Sequence, residues 1–108
     1  MQLPRTELFF FNHVAREHKA ERLELFGRMA HLHETPVLVI ANEEQLKTWK
    51  ETFPQGLFSY TRPDSTNLRR NPFPEDTAIL LDPELSRQDL AFLRSKAIRD
   101  RCNTVQVS

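Results

Sequence analysis

Residues 36–54, PVLVIANEEQLKTWKETFP, decide the fold. Val37 to Ala41 is a continuous apolar run rich in β-branched residues, the composition of a strand buried on both faces. Asn42 follows at once with the chemistry of a helix N-cap. Gln45, three residues on, is placed to return a hydrogen bond as in a capping box, and Glu43 and Glu44 complement the positive helix terminus. Leu46, Trp49 and Phe53 give the helix an inward stripe with Lys50 at its margin, and Pro54 with Gly56 ends it. A buried strand feeding a helix is half of a βαβ unit, so a parallel sheet with helices on its faces is expected.

The pattern extends in both directions. Leu8 to Phe11 in TELFFFNHV is apolar throughout and forms the first strand. The segment AREHKAERLELFGRMAHLHE places Ala20, Leu23, Phe26, Met29, Ala30 and His33 at helical spacing, which predicts an amphipathic helix with those residues inward. Leu57 to Thr61 is a third strand, shorter and more polar, suited to a sheet edge or a site. Residues 62–76, RPDSTNLRRNPFPED, hold three prolines and little apolar content and predict a long loop. Thr77 to Leu81 is the fourth strand. The third helix starts either at Asp82-Pro83 or at Ser86 with Asp89, with Leu90, Leu93, Ala97 and Ile98 inward. Thr104 to Val107 closes the chain as a short strand. The order predicts one α/β domain over residues 1–108: three layers, a largely parallel sheet of about five strands and three helices, Rossmann-like without a phosphate-binding loop.

Composition narrows the function. Lys and Arg total 15 and Asp and Glu 15, so no global field draws in nucleic acid or an anionic membrane, and any charged binding surface is local. No apolar run approaches the roughly 18 residues of a membrane span, and no signal segment opens the chain, so a soluble, cytoplasmic protein is expected. The single cysteine, Cys102, excludes an internal disulfide and a cysteine zinc cage. The only glycines are Gly27 and Gly56, and neither GxGxxG nor GxxxxGK[ST] is present, so nucleotide binding through a glycine loop is disfavoured and no cofactor is expected.

Candidate chemistry is sparse. Among His13, His18, His31 and His33, the last two lie about 200° apart on a helix and do not chelate together, so no metal is expected. His13 and Asp82, both at strand ends, make a conceivable acid-base pair, with Asp82 as a helix start the simpler use. No GxSxG elbow exists. The basic residues give the best signal: Arg62, Arg69 and Arg70 with Tyr60 and Phe73 around the loop, and Arg94, Lys96, Arg99 and Arg101 late in the third helix. Arginine beside aromatics suits phosphate, single-stranded nucleic acid or a peptide carboxylate. The same cations are also favoured simply by the helix C-terminus, and Asp64, Glu75, Asp76 and Asp100 offset them.

From Thr6 to about Thr61, the succession ELFFF, long amphipathic helix, PVLVIANEEQLKTWKETF and GLFSYT resembles the N-terminal half of the chi subunit of bacterial DNA polymerase III. The resemblance implies a non-enzymatic adaptor in DNA replication or repair that binds the psi subunit and the acidic tail of single-stranded-DNA-binding protein. Tyr60-Thr61-Arg62-Pro63 stands where that family ends its third strand on proline and histidine. The stretch PVLVIANEEQLKTWKETF is also similar to the strand and helix after the phosphate loop of helicase-like ATPases, which implies at most a degenerate nucleic-acid binder here. The expected function is thus a protein-interaction module with Tyr60, Arg62, Arg69, Arg70, Arg94 and Arg99 receiving an acidic partner. The alternatives are a phage or mobile-element assembly subunit pairing through its terminal strand, and a metal-dependent nuclease-like enzyme using Asp82 and His13.

Overall fold

The computed structural model describes residues 7–11, 21, 25, 28–29, 32–53 and 58–107. Its strands are β1 (Glu7–Phe11), β2 (Val37–Ile40), β3 (Phe58–Thr61), β4 (Ala78–Leu81) and β5 (Asn103–Val107). The helices are α1 (Glu43–Thr52), α2 (Thr66–Arg70) and α3 (Arg87–Arg99). The strands lie side by side in the order β3-β2-β4-β1-β5, every neighbour parallel. Glu21, Leu25, Arg28, Met29 and Leu32 are helical positions between β1 and β2. The rest of that expected helix, including Ala20, Leu23, Phe26, Gly27 and Ala30, lies outside the described residues, as do His13, His18, His31, Pro54 and Gly56.

Strand alternation sorts the apolar residues onto two faces. Val37, Val39 and Ala41 from β2 and its end, Phe58 from β3 and Leu80 from β4 pack with Leu46, Trp49 and Phe53 of α1. Ile40, Ile79 and Leu81, one residue out of step, pack on the other face with Leu68, Phe73, Leu93 and Ala97. The continuous runs VLVI and AILL are therefore strands covered on both sides, which is why they show no polar alternation. On the α1 face the Phe53 and Phe58 rings stack at 4.6 Å and 3°, an arrangement that adds about 1 kcal/mol to the area they bury.

The structure changes the expectations for Asn42 and residues 62–76 and decides between the two starts expected for α3. Asn42 precedes α1 but makes no side-chain cap; its Nδ2 donates instead to the Glu84 carbonyl, tying the start of α1 to the β4–α3 connection. Ser86, not Asp82, caps α3: its Oγ accepts the Asp89 N–H at 3.1 Å. Asp82 forms a turn, with Oδ1 accepting from the Glu84 N–H and its carbonyl from the Leu85 N–H. Residues 62–76 are not an extended loop: Ser65 caps the five-residue helix α2, and Leu68 and Phe73 are buried at 7% and 5% exposure.

Three residues expected inward are exposed: Met29, His33 and Ile98, the last at 73%. For Ile98 the cause is Lys96. The α3 stripe is centred on Leu93, Lys96 and Ala97, because the Lys96 stem lies in the seam while its Nζ is held by the Asn71 carbonyl and by Asp100 Oδ2 at 2.9 Å. Ile98 is then about 140° from Leu93 around the helix and points outward.

Candidate functional site

Ligands of open parallel sheets bind where neighbouring strands send their connections to opposite faces. Here β2 and β4 are such neighbours: α1 leaves β2 for β3 on one face, and α3 leaves β4 for β5 on the other. Their carboxyl ends meet at Ala41-Asn42 and Asp82-Pro83-Glu84. Asp82 continues the alternation of Ala78 and Leu80 and so points beneath α1, 5% exposed. Its Oδ2 accepts the Trp49 indole N–H at 2.7 Å and its Oδ1 the Glu84 N–H at 2.7 Å. Burial raises its pKa, partly countered by those two donors. With both oxygens engaged and the Asn42 side chain spanning to Glu84, the crevice is cross-linked by its own groups. No group of three or more His, Cys, Asp or Glu side chains able to hold a metal ion occurs among the described residues.

The expected binding residues divide into separate places. Tyr60 faces α1, where its hydroxyl donates to the Phe53 carbonyl with the Trp49 carbonyl 3.3 Å away; burial raises its pKa. That hydroxyl serves the C-terminus of α1. Arg62, just past β3, pairs with Asp64 at 2.8 Å and reaches Glu43 at 3.9 Å. Arg69 and Arg70 lie on α2, across the sheet from Tyr60. The Arg69 guanidinium sits 4.6 Å from the Phe92 ring centroid, clamping α2 to α3. Arg70 is exposed.

Within α3, Arg94 and Arg99 are five residues apart, about 140° around the helix. Arg99 shares the flank of Phe92, two turns earlier, beside α2. Arg94 falls on the other flank, with Leu90 and, beyond the helix end, Arg101. Because Phe92 and Lys96 are pinned toward α2 and residues 71–73, this second flank faces away from α2, toward the β5 side of the sheet. Ile98, about 140° from the buried Leu93, points away from the sheet, one turn along the chain from each of Arg94 and Arg101.

Arg101 carries a further signal. Its φ is 58°, the left-handed region. The Arg101 N–H donates to Ile98 at 3.2 Å and the Cys102 N–H to Ala97 at 2.9 Å, the paired bonds of a Schellman helix ending. Glycine is the usual residue there, and a side chain with a Cβ costs about 1 kcal/mol. The sequence accepts that cost at this helix ending. Neither Ile98 nor Arg101 is among the residues that the sequence marks for binding: spacing assigns Ile98 to the core, and Arg101 is one of several cations at the helix end.

No match arises from known protein families, curated proteins or solved structures. The described residues include no helix long and apolar enough to cross a membrane.

Proposed function

We propose that this protein is a small non-enzymatic interaction module that receives an acidic segment of a partner protein on the outer surface of α3. The single observation that carries this is the exposed Ile98 between Arg94 and Arg101. An apolar side chain 73% exposed among cations fits a segment combining carboxylates with an apolar residue. The cations around Ile98 do not arise from global charge, since the chain is neutral overall. Within this proposal the setting is DNA replication or repair in the cytoplasm, as the chi-like succession of residues 6–61 implies, and the partner is a protein with an acidic tail. Asp82, sealed by Trp49 and the Glu84 amide, serves as a structural acid and not as a catalytic one.

Fluorescence anisotropy with a labelled acidic peptide ending in an apolar residue tests the proposal. Saturable binding that weakens with salt and is abolished in Arg94→Glu/Arg101→Glu is expected. If wild type and the double variant behave alike, and a tagged chain recovers no protein partner, the function is something else. Calorimetric titration with magnesium and manganese separates the nuclease alternative, which requires a site that binds divalent ions.

A further inference from the structure

We infer that the seam between α2 and α3 is a second binding surface, which holds a nucleic-acid strand by its phosphates through Arg69, Arg70 and Arg99. It lies on a different side of α3 from Ile98 and takes a different class of partner, so it stands independently of the function proposed above.

Three contacts fix the seam. The Arg69 guanidinium lies over the Phe92 ring, the Lys96 ammonium donates to the Asn71 carbonyl, and the Phe73 N–H donates to Asp100. Residues 69–73 therefore run alongside residues 92–100 of α3. Arg99, seven residues after Phe92, falls within about 20° of it around the helix and about 10 Å further along, beside the same segment. On α2, Arg69 is about 100° from the buried Leu68 and Arg70 a further 100° round, on the outer side of the clamp. The three exposed arginines thus form a row.

The row is uncompensated. Among the described residues none of these three guanidiniums makes an ion pair or a hydrogen bond, whereas Arg62 pairs with Asp64 and Lys96 with Asp100. Stacking on Phe92 sets the plane of the Arg69 guanidinium and leaves its in-plane N–H donors open to a ligand. Asp100 is within range of the Arg99 charge, but its Oδ2 is taken by Lys96 and the Phe73 amide. Like charges side by side repel, a cost that a bound polyanion removes.

The surroundings select the occupant. Thr66 on α2 and Gln88 and Ser95 on α3 share the outer surface with the row; all three are exposed, polar and uncharged, types that join arginine in contacts to phosphate and sugar. Ile98 is turned about 100° from Arg99, away from α2, so the apolar anchor a peptide would use lies off the row. The span of about 10 Å covers about three phosphates at roughly 3.4 Å per step along a strand. Arg69 lies over Phe92 and Phe73 is buried, so bases find no stacking platform and binding does not depend on sequence.

The probe is a fluorescein-labelled oligothymidylate of about twelve nucleotides, titrated with the full chain and read by anisotropy. Three phosphate contacts predict that the logarithm of affinity falls with the logarithm of salt at a slope of about −2. Arg70→Gln/Arg99→Gln, which leaves the Arg69 clamp in place, weakens binding about tenfold and brings the slope to about −0.7. Arg94→Gln/Arg101→Gln removes as much charge from the other flank and stays within about twofold of wild type. Unchanged circular dichroism in both variants separates lost contacts from a damaged fold. Absence of binding at low salt, equal losses in the two double variants, or displacement by polyglutamate as readily as by unlabelled oligonucleotide overturns the inference. An acidic peptide that still binds through Arg94 and Arg101 in that case leaves the proposed function standing.

Discussion

Replacing Lys96 with methionine removes the cation that holds α3 in its rotation. Lys96 and Asp100 side chains are 5% and 17% exposed, with Nζ 2.9 Å from Oδ2. The same oxygen accepts the Phe73 N–H at 3.1 Å, and Nζ lies 4.9 Å from the Phe73 ring centroid. Methionine keeps the apolar stem but strands the Asp100 carboxylate without its cation. Breaking a buried pair from one side costs about 3–5 kcal/mol. Asp100 keeps the Phe73 amide and some solvent, which places Lys96→Met near the lower end, at about 3 kcal/mol. Adding Asp100→Asn removes the unpaired charge and retains an acceptor for Phe73, so the double variant loses only about 1 kcal/mol, well below the sum of the singles. Urea unfolding followed by circular dichroism reads this as a midpoint shift at constant slope. Asp100 also sets a pH signature. Burial pushes its carboxyl up, but the Lys96 and Phe73 hydrogen bonds and the nearby Lys96 and Arg99 charges outweigh burial and hold it below its ordinary value. Its contribution is therefore complete above pH about 4 and is lost as pH falls through the lower folded value. Asp100→Asn removes that acid-side loss. A Lys96→Met protein within about 0.5 kcal/mol of wild type, or single losses that simply add, would refute the buried lock.

Asp82 predicts the opposite slope, because burial raises its pKa in the folded protein: between pH about 4 and that raised value the folded state holds the extra proton, and stability declines as pH rises. Asp82→Asn abolishes this decline, and Trp49→Phe, which deletes one of the two donors, destabilises by about 2 kcal/mol near neutral pH in urea titrations. Ser86→Ala costs about 1 kcal/mol by thermal unfolding, whereas Asn42→Ala, which removes no cap, acts through the lost Glu84 contact and leaves the helicity of α1 unchanged by circular dichroism.

Strands surrounded by helices declare themselves in sequence, because burial on both faces demands uninterrupted apolar runs. VLVI and AILL were legible for that reason, and the polarity of FSYT pointed to a sheet edge or a site, of which the topology shows the edge. What escaped was set by partners distant in the chain. Asn42 has N-cap chemistry, but its amide is drawn 42 residues away to the Glu84 carbonyl. Helix α2 is five residues long, too short for an apolar period, and Leu68 and Phe73 are inward because the β3-to-β4 connection must cover Ile40 and Ile79. Ile98 matches a buried helical position by spacing alone. Only the pairing of Lys96 with Asn71 and Asp100 rotates it into solvent. The arginines were visible as a group, but their division between the α2 flank and the β5 flank depends on which side of α3 faces the sheet.

The most direct measurement is site-specific photocrosslinking inside the cell the protein comes from, with benzoylphenylalanine at position 98 and, as a control, at the exposed Lys47 on α1. Docking of an acidic segment on α3 predicts that position 98 crosslinks to one protein, within a stretch carrying net negative charge, and that the control does not. Crosslinks from position 98 that fall on nucleic acid or on a basic stretch, or that match those of the control, would contradict it.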